Sequence, residues 1–295
     1  MFHSLAELVQ QAQARALPLW EIVLESEMKL SEEPRSVIWD RMGQRLEVMR
    51  RSSNQGLETP LHSLSGLTRG SAHRFWNWLE SGAQPLSGPL LSRAIARALS
   101  VSETNACMGR IVATPTAGAS GILPALLLSL QEQRGFSDEQ LIQALFTAGG
   151  VGIVILHRAH VSGAAGGCQA ETGSAAAMTA AAIVELMGGS PAQASHAAAI
   201  ALKNMLGVVC DPIGGLVEAP CTKRNAAGVA QALVAADLAL AGVESLIPAD
   251  EVIDAMRRIG NHMDESLRET AEGGLAATPT AQQLTRQIWS KNHEF

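Results

Sequence analysis

The sequence predicts an all-α fold in a single domain, and three observations support this prediction. Aromatic residues, which strands favour, are scarce: the 295 residues include five Trp, five Phe and no Tyr. Good helix formers such as Ala and Leu are frequent, and apolar positions recur at helical spacing. One short candidate strand lies at 151–156, and no linker divides the chain, so residues 1–295 are predicted to form one all-α domain.

The N-terminal helices are predicted from their spacing and caps. Residues 5–14 are amphipathic, and Pro18 suits the first turn of a second helix that reaches about Lys29. Ser31 is placed to cap a third helix, which carries apolar residues at core spacing over 37–49.

The rest of the chain alternates loops and helices. Residues 52–70 and 113–121 are rich in small and polar residues and are predicted to be loops. Ser137 and Gln140 form the pattern of a capping box at a helix start. Further helices are expected at 71–81, 89–106, 141–148, 175–187, 191–206, 223–241 and 248–260, and after Pro279.

Composition and charge exclude several classes of function. Charged residues make up 17% of the chain, against a usual share of about 25%, which predicts extensive buried surface in a core or a subunit interface. The formal net charge is -6 without a basic stripe, so nucleic acid is not an expected partner. Pro and Gly interrupt residues 111–130, and residues 148–156 are too short to span a membrane. The N-terminus lacks the pattern of a secretory signal, so the expected location is the cytoplasm.

Three of the four cysteines lie in loops rich in Gly and Pro. Cys168 belongs to SGAAGGCQAE at 162–171, and Cys210 and Cys221 belong to CDPIGGLVEAPC. In a reducing compartment such thiols are either buried or metal ligands rather than disulfides. Their spacing matches no short zinc motif. Cys107 lies at a helix end, where a packed helical cysteine is the favoured interpretation. The alternative is a fourth cluster ligand: three ligands would leave one iron open, whereas four would close the cluster.

Several motifs resemble the iron–sulfur L-serine dehydratase α family, and the resemblance extends from about Leu5 to beyond Pro279. It implies that Cys168, Cys210 and Cys221 hold a [4Fe-4S] cluster, which acts as a Lewis acid in converting L-serine to pyruvate and ammonia without pyridoxal phosphate. Single-chain family members carry a C-terminal cysteine, whereas this sequence ends in NHEF at 292–295. The motifs are SGAAGGCQAE at 162–171, KNMLGVVCDP at 203–212, GGLVE at 214–218, PCTKRNA at 220–226, ATPTAG at 113–118, LSGPL at 86–90 and Met108-Gly109.

Substrate contacts are predicted from side chains that can bind a carboxylate or a hydroxyl. They lie beside the cysteines, in the 113–121 loop, and in a polar segment at 63–70 that resembles a family loop. No general base is assigned: His62, His157 and His160 have no partner visible in the sequence, and His196 is predicted to pack within a helix. The substrate-binding candidates are Ser65, Thr68, Thr116, Ser120, Lys203, Lys223 and Arg224.

The resemblance also implies a partner, because family members combine an α region with a β region. This sequence begins directly in the α pattern, so a separate β subunit is expected. Three alternatives stay open. One is a related β-eliminating lyase of the cysteine desulfidase type. The others are a four-cysteine metal protein that uses Cys107, and a structural subunit without iron.

Overall fold

The computed structural model describes residues 2–291, and this part of the chain contains thirteen α-helices and no strand. The predicted all-α fold is confirmed. Two isolated bridges pair His62 with Arg69 and Cys210 with Arg268. Residues 292–295, which end the sequence without a cysteine, lie outside the described residues. The helices are α1 Leu5–Arg15, α2 Leu19–Ser31, α3 Arg35–Glu58, α4 Ser71–Glu80, α5 Gly88–Ala106, α6 Ile122–Arg134, α7 Asp138–Arg158, α8 Gly163–Gly166, α9 Ser174–Leu186, α10 Pro191–Lys203, α11 Cys221–Leu240, α12 Ala249–His262 and α13 Pro279–Lys291.

The Ala-rich helix α9 lies at the centre of the core. It packs against α6, α7, α10 and α11, and every residue from Ser174 to Val184 is buried. Short alanine side chains let the neighbouring helices approach closely. On α7, a Cβ added to Gly152 would lie 2.9 Å from the Met178 methyl group. The segment that follows Cys168 therefore leads into one of the most enclosed helices of the protein.

Helix α7 contains the candidate strand at 151–156, and that prediction is wrong. The helix begins with the predicted Ser137–Gln140 capping box and continues to Arg158. Val151, Val154 and Ile155 are buried in the core, whereas Ile153 is exposed. Gly150 packs against Val23. By length and composition α7 could cross a membrane, but 67% of its most apolar stretch is buried within the protein, as in a core helix.

The structure also corrects the start and end of α3. Ser31 is the last residue of α2 and not the cap of α3, which begins after Pro34. Residues 52–58, predicted as loop, are helical because their small side chains pack against α5. The Gly56 N–H donates to Ser100 Oγ at 2.8 Å, and that hydroxyl donates to Ser52 O at 3.0 Å. Tertiary packing here overrides the weak helix propensity of Ser and Gly.

Helices α2 and α4 are capped by carboxylates from other helices. Pro18 and Gly70 occupy their N-cap positions and offer no side-chain acceptor. Glu185 of α9 accepts from the first two amides of α2, and Glu103 of α5 accepts from those of α4 at 2.6 and 3.3 Å. Burial raises the pKa of both carboxyl groups. The positive end of each helix dipole thus receives a partner that is remote in sequence.

Replacing Glu103 with Ala is expected to destabilise the fold, because the first two amides of α4 lose their acceptor and the side chain leaves a cavity. We expect the free energy of unfolding to fall by roughly 2–3 kcal/mol. Urea unfolding followed by circular dichroism measures the change. Glu251→Ala, at an exposed position in the first turn of α12, is the control and should change stability by less than about 0.5 kcal/mol. Equal stability of the two variants would contradict the capping role.

Candidate metal centre

Three buried cysteines come from separate segments of the chain. Cys168 precedes a π-helical turn, Gln169–Gly173, that leads into α9, and Cys221 is the first residue of α11. Cys210 lies on the loop between α10 and α11. The residues are 3%, 2% and 7% exposed, respectively. Turns of π-helix are frequent at functional sites.

The segments that carry the thiols are in contact, since the Gln169 N–H beside Cys168 donates to Val208 O at 2.9 Å, and the charges of the thiols affect one another's pKa. Burial is the largest cause that raises the pKa of each thiol. The charge of Cys168 is the next cause for both Cys210 and Cys221, and it helps to raise the pKa of Cys221 to about 12. Protons on such thiols are displaced when a metal binds.

Close backbone packing places Cys210. Its N–H donates to Leu267 O at 2.8 Å, and its carbonyl accepts from the Glu269 N–H at 2.7 Å. A Cβ added to Gly163 would lie 2.5 Å from the Cys210 sulfur. Glycine is therefore required at residue 163, which explains part of the Gly-rich motif before Cys168.

Gln169 connects the two cysteine loops and was not singled out from the sequence. Its side chain is fully buried and donates to Gly166 O at 2.9 Å and Met256 O at 3.1 Å. Its amide oxygen accepts from the Gly207 N–H at 2.9 Å. A fully hydrogen-bonded buried amide of this kind fixes the relative position of the loops around Cys168 and Cys210 and of α12.

Arg224, a predicted substrate contact, lies in this centre. Its guanidinium donates to Val209 O at 2.9 Å and to Asp211 Oδ1 at 2.7 Å. The charges of Cys168 and Asp211 raise its pKa, against the effect of burial. Arg224 therefore supplies positive charge beside the thiols. These two hydrogen bonds use two of the five N–H donors of the guanidinium.

Glu171 is a second charged group of the centre. The Thr116 hydroxyl donates to its carboxylate, and a Cβ added to Gly118 would lie 2.6 Å from its Oε1 atom. Burial is the largest cause that raises the pKa of Glu171, and nearby Glu269 adds to the effect. The charge of Glu171 also helps to raise the pKa of all three thiols. Of the candidates in the 113–121 loop, Thr116 thus contacts a group of the centre.

The other candidate in this loop, Ser120, has a local partner. Its hydroxyl donates to Ala117 O at 2.8 Å within the turn. The loop itself is joined to the centre by Asn225, whose amide donates to Gly118 O at 2.6 Å and to Cys221 O at 3.0 Å.

Ser65 and Thr68 both donate to one buried carboxylate, that of Glu218. Ser63 Oγ and Thr68 Oγ1 each lie 2.6 Å from Glu218 Oε2, which also accepts from the Thr68 N–H at 3.0 Å. Ser65 Oγ donates to Oε1 at 2.7 Å. We call these four residues the Glu218 clasp. The polar character of 63–70 pointed to the hydroxyls, but no local signal pointed to Glu218 as their partner.

The remaining candidates have other partners or are exposed. Lys203 Nζ donates to Ser245 O at 2.9 Å, and Lys223 is exposed. His196 Nδ1 accepts from the Ser245 N–H at 3.3 Å, as expected of a packed histidine. His62 is exposed, and its Nδ1 lies 3.2 Å from Pro60 O.

Cys107 differs from the other cysteines. It is the C-cap of α5, and its N–H donates to Glu103 O. Its pKa is raised by burial and by the charges of Glu218 and Glu103, and the other thiols are not among the causes. The charges that act on Cys107 therefore differ from those that act on the three thiols of the centre.

Thiols are the side chains that hold iron–sulfur clusters, so the donor set of the centre fits such a cluster. Among residues 2–291, no three His, Cys, Asp or Glu side chains stand close enough to share one metal ion. Cluster thiolates bind different irons, so they stand further apart than the ligands of one ion. Cys168, Cys210 and Cys221 are buried thiols of this kind, and Arg224 supplies positive charge beside them.

The fold and the centre define an all-helical protein with a buried three-thiol site. Residues 14–276 match the serine dehydratase alpha chain family, and the chain belongs to that family.

Two relatives are similar over nearly the whole chain. The probable L-serine dehydratase, alpha chain, of Bacillus subtilis (strain 168) is 48% identical over 98% of this chain and 96% of its own. The L-serine dehydratase, alpha chain, of Peptoniphilus asaccharolyticus is 46% identical over 98% of both chains. L-serine dehydratase TdcG of Escherichia coli (strain K12) is 44% identical over 61% of this chain but only 40% of its own length.

Proposed function

We propose that this chain is the catalytic α chain of an L-serine dehydratase, converting L-serine to pyruvate and ammonia. The main observation behind this proposal is that Cys168, Cys210 and Cys221 lie together in a buried centre. In addition, the relatives that match nearly the whole chain are named L-serine dehydratase, alpha chain. These three thiolates would hold a [4Fe-4S] cluster. When bound, such a cluster supplies a Lewis acid for the substrate hydroxyl.

The protein's own residues would prepare the site in several ways. Arg224 would stabilise the thiolate forms of Cys168 and Cys221 through its charge. The Thr172 hydroxyl, 2.9 Å from the Cys168 sulfur, would donate a hydrogen bond to that thiolate. Glu171, oriented by Thr116, is a carboxyl group that could hold a proton at the centre.

The predicted substrate contacts differ in how well their positions suit substrate binding. Thr116 and Arg224 lie in the centre, and Arg224 has donors left for a carboxylate. The hydroxyls of Ser65 and Thr68 donate to Glu218, so neither has a donor left for a substrate carboxylate. The Ser120 hydroxyl donates to Ala117 O, and the Lys203 ammonium donates to Ser245.

The same proposal includes a β subunit as partner and a cytoplasmic location. The relatives' names as alpha chains support the partner. A reducing compartment would suit four cysteines that are all free.

Anaerobic reconstitution with iron and sulfide, followed by a pyruvate assay, tests the function. We expect turnover with L-serine, and comparison with L-threonine and L-cysteine separates a serine dehydratase from a related β-eliminating lyase. Air should remove iron and activity together, and iron(II) with a thiol should restore both, because an iron without a protein ligand is open to small molecules. A chain that stays iron-free after reconstitution, or keeps full turnover after prolonged aeration, would refute the proposal.

A further inference from the structure

The Glu218 clasp joins two segments that lie about 150 residues apart in the chain, as shown by the Thr68–Glu218 separation. Glu218 is 7% exposed, and its carboxylate accepts all four hydrogen bonds from neutral donors on Ser63, Ser65 and Thr68. A buried charge is costly unless it is hydrogen-bonded. The loop and the carboxylate therefore depend on each other.

The backbone of Glu218 is part of the structure that begins α11. Its carbonyl accepts from the Thr222 N–H at 2.9 Å and from Thr222 Oγ1 at 2.8 Å, and its N–H donates to Leu216 O at 2.7 Å. Cys221, the first residue of α11, lies between Glu218 and Thr222. A displacement of Glu218 must therefore displace the start of the helix that carries the thiol.

We propose that Glu218, with Ser63, Ser65 and Thr68, is a positioning group that fixes Cys221 for cluster binding. In this assignment the hydroxyls of the 63–70 segment act on the centre through Glu218 and not by touching the substrate. The inference rests on the proposed function only in taking Cys221 as a cluster ligand.

The protein contains a matched control for this role. Glu185 accepts from the Thr147 hydroxyl and from two backbone amides, so its environment resembles that of Glu218. It lies at the C-terminal end of α9, whereas Cys168 precedes the N-terminal end of that helix. Thr68→Val and Thr147→Val each remove one hydroxyl donor from a carboxylate, and only the first does so beside a cysteine loop.

The experiment compares the full chain with Thr68→Val, Glu218→Ala, Glu218→Gln and Thr147→Val. In the metal-free chain, the labelling rate of Cys221 by iodoacetamide is followed by peptide mass spectrometry. We expect Thr68→Val to raise this rate about tenfold or more, since a hydrogen bond to a charged group is lost, and Glu218→Ala to raise it further. Glu218→Gln keeps an acceptor for Thr68 and should fall between wild type and Glu218→Ala. Iron and sulfide retained after anaerobic reconstitution should fall in the same order.

Thr147→Val should leave both the labelling rate of Cys221 and the retained iron at wild-type values. Unchanged labelling of Cys221 in Thr68→Val and Glu218→Gln, or an equal rise in Thr147→Val, would overturn the proposal. So would a raised KM for serine in Thr68→Val with labelling and iron unchanged, which would instead assign Thr68 to the substrate. If wild type itself retains no iron, the proposed function fails, while the labelling rates still decide whether the clasp positions Cys221.

Discussion

Replacing Cys210 with Ser is expected to abolish the metal centre. A serine hydroxyl stays protonated at neutral pH and is a poor ligand for iron, whereas a thiol loses its proton on binding. We expect retained iron to approach zero and turnover with L-serine to fall by more than about a hundredfold. Cys168→Ser and Cys221→Ser should behave alike, because the three thiols lie in one centre. Iron and sulfide analysis after anaerobic reconstitution measures the loss.

Cys107→Ala is the matched control, since it removes a thiol whose pKa the three thiols of the centre do not influence. It should retain wild-type iron and turnover. Full iron content in Cys210→Ser would contradict the ligand assignment. Loss of iron in Cys107→Ala would favour a four-cysteine metal protein. Circular dichroism of the metal-free variants separates a lost ligand from a lost fold.

Much of the fold could be predicted because its signals are local. The capping box that begins α7 occupies four consecutive residues and was predicted, and α10 begins at Pro191, where a helix start was expected. Where the deciding contact is distant, the prediction failed. Residues 52–58 are helical because they pack against α5, and no pattern within that segment contains this information.

The same difference between local and distant contacts applies to the metal centre. The loops around Cys168 and Cys210 could be singled out, because several glycines and a cysteine stand side by side in the sequence. Gln169 and Glu218 could not be assigned a role from their neighbours, because Gln169 bonds to Met256 and Glu218 to Thr68. A buried polar side chain is recognised by its partners, and these partners lie 87 and 150 residues away, respectively.

A β partner is expected to raise turnover strongly. Thr116 and Arg224 lie in the centre. His62, His157 and His160 are exposed, and His196 accepts from the Ser245 N–H. The relative TdcG is aligned over only 40% of its length, so most of that longer chain has no counterpart in the aligned region. A separate chain could supply such a region here. If the β chain contributes a base positioned at the centre, turnover with L-serine should rise by roughly a hundredfold or more.

The test is to reconstitute this chain alone and together with the companion β chain, and to compare size and turnover with L-serine. We expect a larger complex and higher kcat in the mixture, with equal iron per α chain in both samples, because the three thiols belong to this chain. A Cys221→Ser α chain mixed with the same partner should still form the complex but stay inactive. Full, saturable activity of this chain alone would refute the need for a partner and leave the assignment of Cys168, Cys210 and Cys221 unaffected.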